Sequence, residues 1–328
     1  MSDLRRRLLD AGSVSRVIGH VRGAAPGPML VVVAGIHGNE PAGVLAARRV
    51  HARLQAFGLA LRGDLVLLAG NVAALARGVR SVARDLNRGW TRERLASLPA
   101  ASDASSEDLE QRQLYDAIES ARRDARGPVT FLDLHSTSAH GIPFAMAHDR
   151  PAELEFSRQF PLPVIVGLLE LVDSTLLEFL RREGCMTLGI EAGQNDAESS
   201  IDHHEAVLWI ALAAVGLAPP ETLPELAQCR RLLAAARGQL PHVMRIEHRH
   251  AISPADRFEM LPGFANIERV REGQLLARDR GGEIRAERNG ILLLPLYQAQ
   301  GDDGFFLGRE VAESGDPIET ASRRAVGL

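Results

Sequence analysis

Short apolar runs recur along the first two thirds of the chain, each closed by a glycine or a polar residue. They are continuous rather than alternating with polar positions, which is typical of strands buried on both faces of a parallel sheet. Amphipathic stretches separate them, so the pattern predicts an α/β sheet with helices on both faces. The predicted strands are 29–35, 64–70, 129–134 and 186–190, and the predicted helices are 41–58, 107–126, 176–183 and 203–215.

The pattern changes after Pro219 and Pro220. A helical stretch up to Gly238 is followed by short strand-like runs, which glycine-rich turns such as Gly281-Gly282 separate. We therefore predict a larger α/β domain, a linker that contains a helix, and a small β-rich domain. Their ranges are 1–220, 221–241 and 242–328.

The composition excludes several kinds of chemistry. The 328 residues include 38 basic and 42 acidic side chains, and the net charge of -4 argues against electrostatic binding of nucleic acid. Every basic residue is an arginine, which excludes Schiff-base lysines, lysine general bases and the P-loop lysine. The nucleophile-elbow and dinucleotide-binding glycine motifs are also missing from the sequence.

Neither secretion nor membrane insertion is predicted. The arginines at 5–7 are not followed by an apolar segment, and the longest apolar run, 206–218, is too short to span a bilayer. Cys185 and Cys229 lie far apart and form no metal or disulfide motif, which favours a reducing compartment. We expect a soluble, cytoplasmic protein with no nucleic-acid or membrane partner, and the sequence leaves homo-oligomer formation open.

Candidate chemistry begins in the segment GIHGNEP, where His37 and Glu40 lie three residues apart. They follow a buried strand and precede a helix that Pro41 begins. This places them at the carboxyl edge of the predicted sheet, where α/β proteins bind ligands. An imidazole and a carboxylate at this spacing can bind one metal ion. In the alternative interpretation, Glu40 is a helix-start charge and His37 is a loop residue.

A third candidate ligand, His135, follows another predicted strand in the segment FLDLHSTS. Two imidazoles and one carboxylate are a ligand set that leaves catalytic zinc an open position for water. Asp133, on the same face of the strand, is a candidate acceptor for the other N–H of a metal-bound imidazole. Alternatively, Asp133 is a strand-end carboxylate without that role.

Two further segments supply candidate groups. Glu191 follows the next predicted strand, and a buried carboxylate there is costly unless it is paired or used, so we predict a general base. Alternatively, Glu191 accepts hydrogen bonds from loop amides. The segment RSVARDLNRGW concentrates Arg80, Arg84, Asp85, Asn87 and Arg88, and its guanidinium and amide donors suit a substrate carboxylate. The alternative is a solvated arginine-rich turn, which we favour for Arg84.

In this order, HGNE, RxxxxDLNR, DLHSTS and IEAG resemble the motifs of the aspartoacylase and succinylglutamate desuccinylase family of zinc-dependent deacylases, relatives of the zinc carboxypeptidases. The resemblance extends over 31–216. It implies a zinc-carboxypeptidase-like mixed α/β sheet flanked by helices, with a smaller C-terminal β domain. One member of the family closes its site with a tyrosine from the small domain. In this chain the corresponding stretch is 298–303, which contains no tyrosine.

The resemblance also implies roles for individual residues. The implied ligands of one zinc ion per chain are His37, Glu40 and His135. Glu191 is the implied general base, and Arg80 polarises or steadies the scissile carbonyl. Asn87 and Arg88 hold a substrate carboxylate.

These features predict a zinc amidohydrolase that cleaves a small-molecule N-acyl amino acid with metal-activated water. One alternative is a zinc carboxypeptidase acting on small peptides, which an open groove would favour. A C-terminal domain lying over the crevice would favour the deacylase. The other alternative is a metal-binding regulatory protein without turnover, which would not need Glu191. We interpret the histidines at 203–204 and 248–250 as structural.

Overall fold

The computed structural model describes residues 3–10, 12 and 14–311. The helices are α1 (Asp3–Asp10), α2 (Ala42–Phe57), α3 (Val72–Arg77), α4 (Arg92–Ala96), α5 (Ser106–Asp124), α6 (Pro151–Ser157), α7 (Leu168–Leu171), α8 (Leu176–Arg182), α9 (Glu198–Ala214) and α10 (Leu226–Arg237). The strands are β1 (Val17–Arg22), β2 (Ala25–Ala34), β3 (Arg62–Ala69), β4 (Val129–Thr137), β5 (Phe144–Met146), β6 (Val164–Val166), β7 (Met186–Gln194), β8 (Val243–Ala251), β9 (Glu259–Met260), β10 (Glu268–Val270), β11 (Leu275–Asp279), β12 (Gly282–Arg285), β13 (Gly290–Leu293) and β14 (Asp303–Glu310).

Most of these strands form one mixed sheet of eleven strands in the described chain, in the order β1-β3-β2-β4-β7-β5-β6-β8-β14-β13-β10. Its centre, β3-β2-β4-β7, is parallel, as the continuous apolar runs predict. β1 pairs antiparallel with β3, and β5 pairs antiparallel with β7. The predicted fold class, a mixed α/β sheet flanked by helices with a C-terminal β region, is confirmed.

Strand β2 supplies side chains to two separate apolar cores, because successive residues of a strand point to opposite faces of the sheet. Leu30 and Val32 pack in the core that includes α2, α9 and α10. Val31 and Val33 pack in the core that includes α5 and α8. Complete burial of one such side chain contributes about 1.5–3 kcal/mol, so the two cores hold β2 firmly at the centre of the molecule.

Helix α9 begins at Glu198, five residues before the sequence prediction of 203. Its first turns are polar and carry no apolar stripe, so hydrophobic periodicity does not detect them. Ion pairs with α2 stabilise these turns instead: Arg49 contacts Glu198 at 2.8 Å and Asp202 at 2.9 Å, and Arg53 contacts Glu205 at 2.7 Å.

The large sheet continues from the predicted α/β domain into the predicted β-rich domain. β8 pairs in parallel with β6, placing Val164 beside Val243, and β14 and β13 continue the sheet. A second, three-stranded sheet has the order β12-β11-β9. Residues 312–328 of the predicted β-rich domain lie outside the described residues. None of the described helices is long and apolar enough to cross a membrane.

Candidate active site

A pocket of about 140 Å³ lies at the carboxyl ends of the central strands. β4 and β7 extend beyond their predicted ends, to Thr137 and Gln194, so His135 and Glu191 are strand residues. Asp133 is not part of the pocket's lining, but all of the predicted metal-binding, catalytic and substrate-binding residues are: His37, Glu40, Arg80, Asn87, Arg88, His135 and Glu191.

The loop after β2 holds His37 and Glu40 in place by packing closely against α3. A Cβ atom on Gly38 would lie 2.1 Å from the carbonyl carbon of Ala74, so this position of the HGNE motif accommodates only glycine without rearrangement. The amide of Gly38 donates to the carbonyl of Arg80 at 3.1 Å, and the amide of Glu40 donates to the carbonyl of His37 at 3.2 Å. These contacts turn both side chains into the pocket.

Glu40 lies between the two histidines. Its Oε1 is 2.9 Å from Nδ1 of His37, and its Oε2 is 3.1 Å from Nδ1 of His135. The amide of Ser136 also donates to Oε2 at 3.1 Å. Each of the three side chains is buried, and one ligand atom of each lies within 4.8 Å of the others. Among the described residues, this is the one group of three His, Cys, Asp or Glu side chains that is arranged to hold a metal ion.

Each histidine has a carboxylate on its far side. Oδ1 of Asp85 lies 3.1 Å from Nε2 of His37, and Oδ2 of Asp133 lies 3.0 Å from Nε2 of His135. The Nε2 atoms are thereby engaged, and both Nδ1 atoms face Glu40. The sequence predicted an acceptor role for Asp133, whereas for Asp85 it indicated only a place in the arginine-rich loop, 48 residues from His37. The sequence signal that could have pointed to Asp85 was its position as a carboxylate among arginine side chains.

The charges of these groups are strongly coupled. Burial raises the pKa of Glu40, but the charges and hydrogen bonds of His37 and His135 outweigh burial and hold that pKa well below its usual range. Burial lowers the pKa of His135, but Asp133 and Glu40 outweigh it and hold that pKa well above its usual range. The carboxylates of the cluster thus favour a positive charge on a group that lies between them.

Glu191 lies beside His135, its register partner across the β4–β7 ladder. The side chain is buried, and Oε2 has no hydrogen-bond partner among the described groups. Burial raises the pKa of Glu191 to about 8, while the charge of His135 lowers it and the charge of Glu40 raises it. The alternative prediction was that loop amides donate hydrogen bonds to Glu191, and this does not hold for Oε2.

Arg80 reaches from its loop toward the cluster. Its Nε and Nη2 donate to Oδ2 of Asp85 at 3.1 and 2.8 Å, and Nη1 lies 3.6 Å from Oε1 of Glu40. Burial lowers the pKa of Arg80, but Asp85 and Glu40 outweigh burial and raise it. The guanidinium is therefore fixed in orientation and positively charged at the edge of the pocket.

Helix α5 anchors the loop that carries Arg80. The carboxylate of Glu107, fully buried, accepts hydrogen bonds from the amides of Val82 and Ala83 at 2.6 and 2.8 Å. Arg84 donates to Asp108 at 3.1 Å and to Gln111 at 2.6 Å. The expectation of a solvated Arg84 is therefore corrected: this side chain fastens the loop to the helix. Sequence reasoning missed Glu107 because nothing in its helix pattern indicates a loop partner.

Asn87 and Arg88 line the pocket and have different partners. Oδ1 of Asn87 accepts a hydrogen bond from the amide of Leu176 at 2.9 Å, while its Nδ2 has no acceptor among the described residues. Nη2 of Arg88 lies 3.1 Å from a carboxylate oxygen of Asp302 and 3.1 Å from one of Asp303. The sequence did not reveal that Arg88 already contacts two carboxylates of the C-terminal β region.

The C-terminal β region closes one side of the pocket. Asn39 donates to Gln298 at 2.7 Å, and Gln300 makes two contacts of 3.4 Å with the backbone of Ser81. Tyr297 does not line the pocket. Its hydroxyl donates to the carbonyl of Leu261 at 2.7 Å, and its amide donates to Ser138 at 3.0 Å.

The other histidines singled out in the sequence lie outside the cluster. Nδ1 of His203 lies 2.7 Å from the carbonyl oxygen of Ala192, and His204 is fully buried. In β8, the ring of His250 stacks on Phe305 with the centroids 4.8 Å apart. These surroundings are those of packed side chains.

The family model described as the succinylglutamate desuccinylase/aspartoacylase catalytic domain matches residues 26–213. A search of curated proteins finds no match.

Several solved structures share the fold. A succinylglutamate desuccinylase/aspartoacylase from Rhodobacter sphaeroides is 20% identical, with a TM-score of 0.66 over 90% of this chain and 88% of that one. The product-bound ectoine utilization protein EutE (DoeB) from Ruegeria pomeroyi is 21% identical, with a TM-score of 0.61 over 88% and 87%. The succinylglutamate desuccinylase from Chromobacterium violaceum is 15% identical, with a TM-score of 0.62 over 95% and 99%.

Proposed function

This chain belongs to the succinylglutamate desuccinylase/aspartoacylase family, and we propose that it is a zinc-dependent deacylase of a small N-acyl amino acid. One observation carries the proposal: the cluster of His37, Glu40 and His135 shares a pocket with the buried Glu191, whose Oε2 has no hydrogen-bond partner among the described residues. Metal binding alone needs the first three residues, whereas hydrolysis also needs a base.

The cluster suits zinc in its donor chemistry. Two imidazole nitrogens and a carboxylate oxygen are the donor set of many hydrolytic zinc sites, and three protein ligands leave a position open. Asp85 and Asp133 lie within 3.1 Å of the opposite ring nitrogens, the place that acceptors behind metal-binding histidines take. Bound there, zinc would supply a Lewis acid for the scissile carbonyl and lower the pKa of water.

Glu191 is proposed as the general base and acid of the hydrolysis. Its buried carboxylate takes a proton from water, whose oxygen forms the new bond to the acyl carbon. The C–N bond then breaks, and Glu191 passes the proton to the leaving nitrogen, so that a carboxylic acid and an amine result. A buried carboxylate in the same pocket can accept this proton and return it within one turnover.

Arg80, Asn87 and Arg88 are proposed to position the substrate. Arg80 donates to Asp85 through one side of its fork, and its Nη1 edge lies toward Glu40, where it can steady the negative charge that develops on the carbonyl oxygen. Nδ2 of Asn87 and the guanidinium of Arg88 can donate to a substrate carboxylate.

The closure of the pocket supports a deacylase over a carboxypeptidase. The contacts of Gln298 with Asn39 and of Gln300 with Ser81 place the C-terminal β region against the loops of the site. A peptide chain needs an open groove, whereas a small amide needs a bounded pocket. If the protein were a metal-binding regulator without turnover, burying Glu191 with its Oε2 unpaired among the described residues would cost free energy without serving a function.

The test is hydrolysis of N-acyl amino acids by zinc-loaded protein, comparing wild type with Glu191→Gln. We expect the variant to retain its fold and zinc and to lose about 10² to 10⁴ in kcat, the scale of a general base. Glu247→Gln, at an exposed glutamate that pairs with Arg288 and Arg309, is the matched control with wild-type turnover. Equal turnover by Glu191→Gln and wild type would refute the assignment of the base.

A further inference from the structure

One part of the pocket is built from apolar core residues. Six of its lining side chains belong to a single apolar cluster, and each is less than 10% exposed. They are Met146, Leu168, Leu169, Val172, Leu177 and Phe306. Because they come from β5, β14 and the α7–α8 segment, which pack on one another, this apolar wall is part of the protein core rather than a chance exposure of side chains.

The size of the pocket limits what can lie against this wall. Its volume is about 140 Å³. An apolar protein cavity of ~150 Å³ lined by similar side chains holds a benzene molecule. Because the pocket must also hold the amide and the carboxylate, one ring or one branched hydrocarbon chain is the largest apolar group that it can take, whereas a methyl group alone would leave most of the wall without contacts.

The charges of the pocket limit the number of carboxylates that a substrate can bring. Arg80 and Arg88 are the guanidinium groups that line it among the described residues, and Arg80 is committed to Asp85. Arg88 lies against Asp302 and Asp303. A second substrate carboxylate would therefore find no free guanidinium in the described lining, only neutral polar side chains such as Ser138 and Gln298, carboxylates or apolar groups, and a buried charge without a counter-charge is costly.

Arg88 can still accept one substrate carboxylate, because its two acidic partners differ. Both also lie near Arg249, but Asp303 is hydrogen-bonded to it and largely buried, whereas Asp302 lies 3.9 Å from it and its side chain is 48% exposed. Asp302 can turn into solvent at small cost, since an exposed carboxylate is well hydrated. Its departure frees one face of the guanidinium for a ligand.

We propose that the substrate is an N-acyl amino acid with one carboxylate and one uncharged aryl or branched hydrocarbon group beside the scissile amide. The apolar group lies against the six-residue wall, and the carboxylate replaces Asp302 on Arg88. This inference rests on the proposed deacylase function and makes it specific, because it excludes substrates with a second carboxylate. The apolar group can belong to the acyl part or to the amino acid.

The test compares hydrolysis of five amides by zinc-loaded wild type. N-benzoylglycine carries the aryl group on the acyl side, and N-acetylphenylalanine carries it on the amino-acid side. N-acetylglycine has no aryl group. N-acetylaspartate and N-succinylglutamate carry the second carboxylate. We expect one of the two aryl substrates to exceed the other three by roughly tenfold or more in kcat/KM, since a single apolar group in a fitted pocket discriminates on that scale.

The two possible failures are distinguishable. Faster hydrolysis of N-acetylaspartate or N-succinylglutamate would overturn the inference and leave the deacylase function standing. Equal rates for N-acetylglycine and both aryl substrates would also overturn the inference. Absence of hydrolysis of all five amides would count against the proposed function itself.

A pair of variants on one segment tests the wall directly. Val172→Phe places a ring in the pocket and should lower the ratio of kcat/KM for the preferred aryl substrate to that for N-acetylglycine by about tenfold. Leu171→Phe, at an exposed neighbour that does not line the pocket, should leave this ratio unchanged. An unchanged ratio in Val172→Phe would overturn the assignment of the wall.

A binding measurement gives a readout that does not depend on turnover. Calorimetry with benzoate and phenylalanine, compared with succinate and aspartate, reports the affinity of the pocket for each product class. We expect one of the two aryl compounds to bind roughly tenfold more tightly than either dicarboxylate, and Val172→Phe to remove the difference. Tighter binding of a dicarboxylate would contradict the inference.

Discussion

Nδ2 of Asn39 donates a hydrogen bond of 2.7 Å to Oε1 of Gln298, a residue 259 positions further along the chain. Asn39 belongs to the loop that carries His37 and Glu40, so the C-terminal β region is attached directly to the candidate metal site. The contact is partly buried, which makes it stronger than an equivalent bond in full solvent. It therefore contributes to closing the pocket.

The first prediction concerns this hydrogen bond. Gln298→Ala should raise KM about fivefold with little change in kcat, because one net hydrogen bond of about 1 kcal/mol is lost from the closed form. Asn39→Ala should have a similar effect. Since both variants remove the same bond, the KM of the double variant should be no higher than that of either single variant. Steady-state kinetics of the wild type, the two single variants and the double variant measures this. Additive effects would mean that the two side chains act independently.

The second prediction concerns metal content. The protein should hold about one zinc ion per chain, and His37→Ala and His135→Ala should each lose it, because each removes one of three protein ligands. Elemental analysis after dialysis measures the stoichiometry. His248→Ala, in β8 and outside the pocket, is the matched control that should keep the metal. Full zinc occupancy in the two ligand variants would rule out the assigned site.

The third prediction separates the roles of Arg88 and Asp302. Arg88→Lys should raise KM for a carboxylate substrate, because an ammonium lacks the two parallel N–H donors of a guanidinium. Asp302→Asn should lower that KM severalfold, since it weakens the internal competitor for Arg88. A substrate whose carboxylate is replaced by a neutral amide should show neither effect. If Arg88→Lys impairs both substrates by the same factor, Arg88 does not bind the carboxylate.

The fourth prediction concerns pH and the anchoring of the Arg80 loop. Burial raises the pKa of Asp108, but hydrogen bonds from Ser105 and Arg84 outweigh burial and lower that pKa to about 2. A carboxyl group with a pKa of ~3.9 in the unfolded chain then stabilises the folded state above that pH. This contribution disappears as the pH falls toward 2.

Asp108→Asn should therefore lower the free energy of unfolding by roughly 1–2 kcal/mol at pH 7, and the difference from wild type should shrink between about pH 5 and pH 2. Urea denaturation at several pH values measures it. Asp103→Asn, at an exposed aspartate just before the same helix, is the control. A difference that stays constant with pH would show that the Asp108 contacts do not depend on its charge.

The sequence by itself determined the fold class and the location of the site. A strand buried on both faces must be apolar along its length, so the runs in β2, β3, β4 and β7 are visible without a structure. The carboxyl ends of parallel strands share one edge of the sheet, which places His37, His135 and Glu191 together before any distance is known. The glycine-capped end of α2 is readable for a similar local reason, because Gly58 adopts a left-handed φ of 61°.

Only the tertiary structure decided which side chains pair. The contacts of Asp85 with His37, of Glu107 with the Arg80 loop, and of Asp302 with Arg88 join segments separated by up to 214 residues. A hydrogen bond or an ion pair depends on a few ångströms of relative position between such segments, and neither hydrophobic periodicity nor spacing encodes that distance. The apolar wall of the pocket is hidden for the same reason, since its residues have the pattern of ordinary core until the fold leaves one face of that core open beside Glu40.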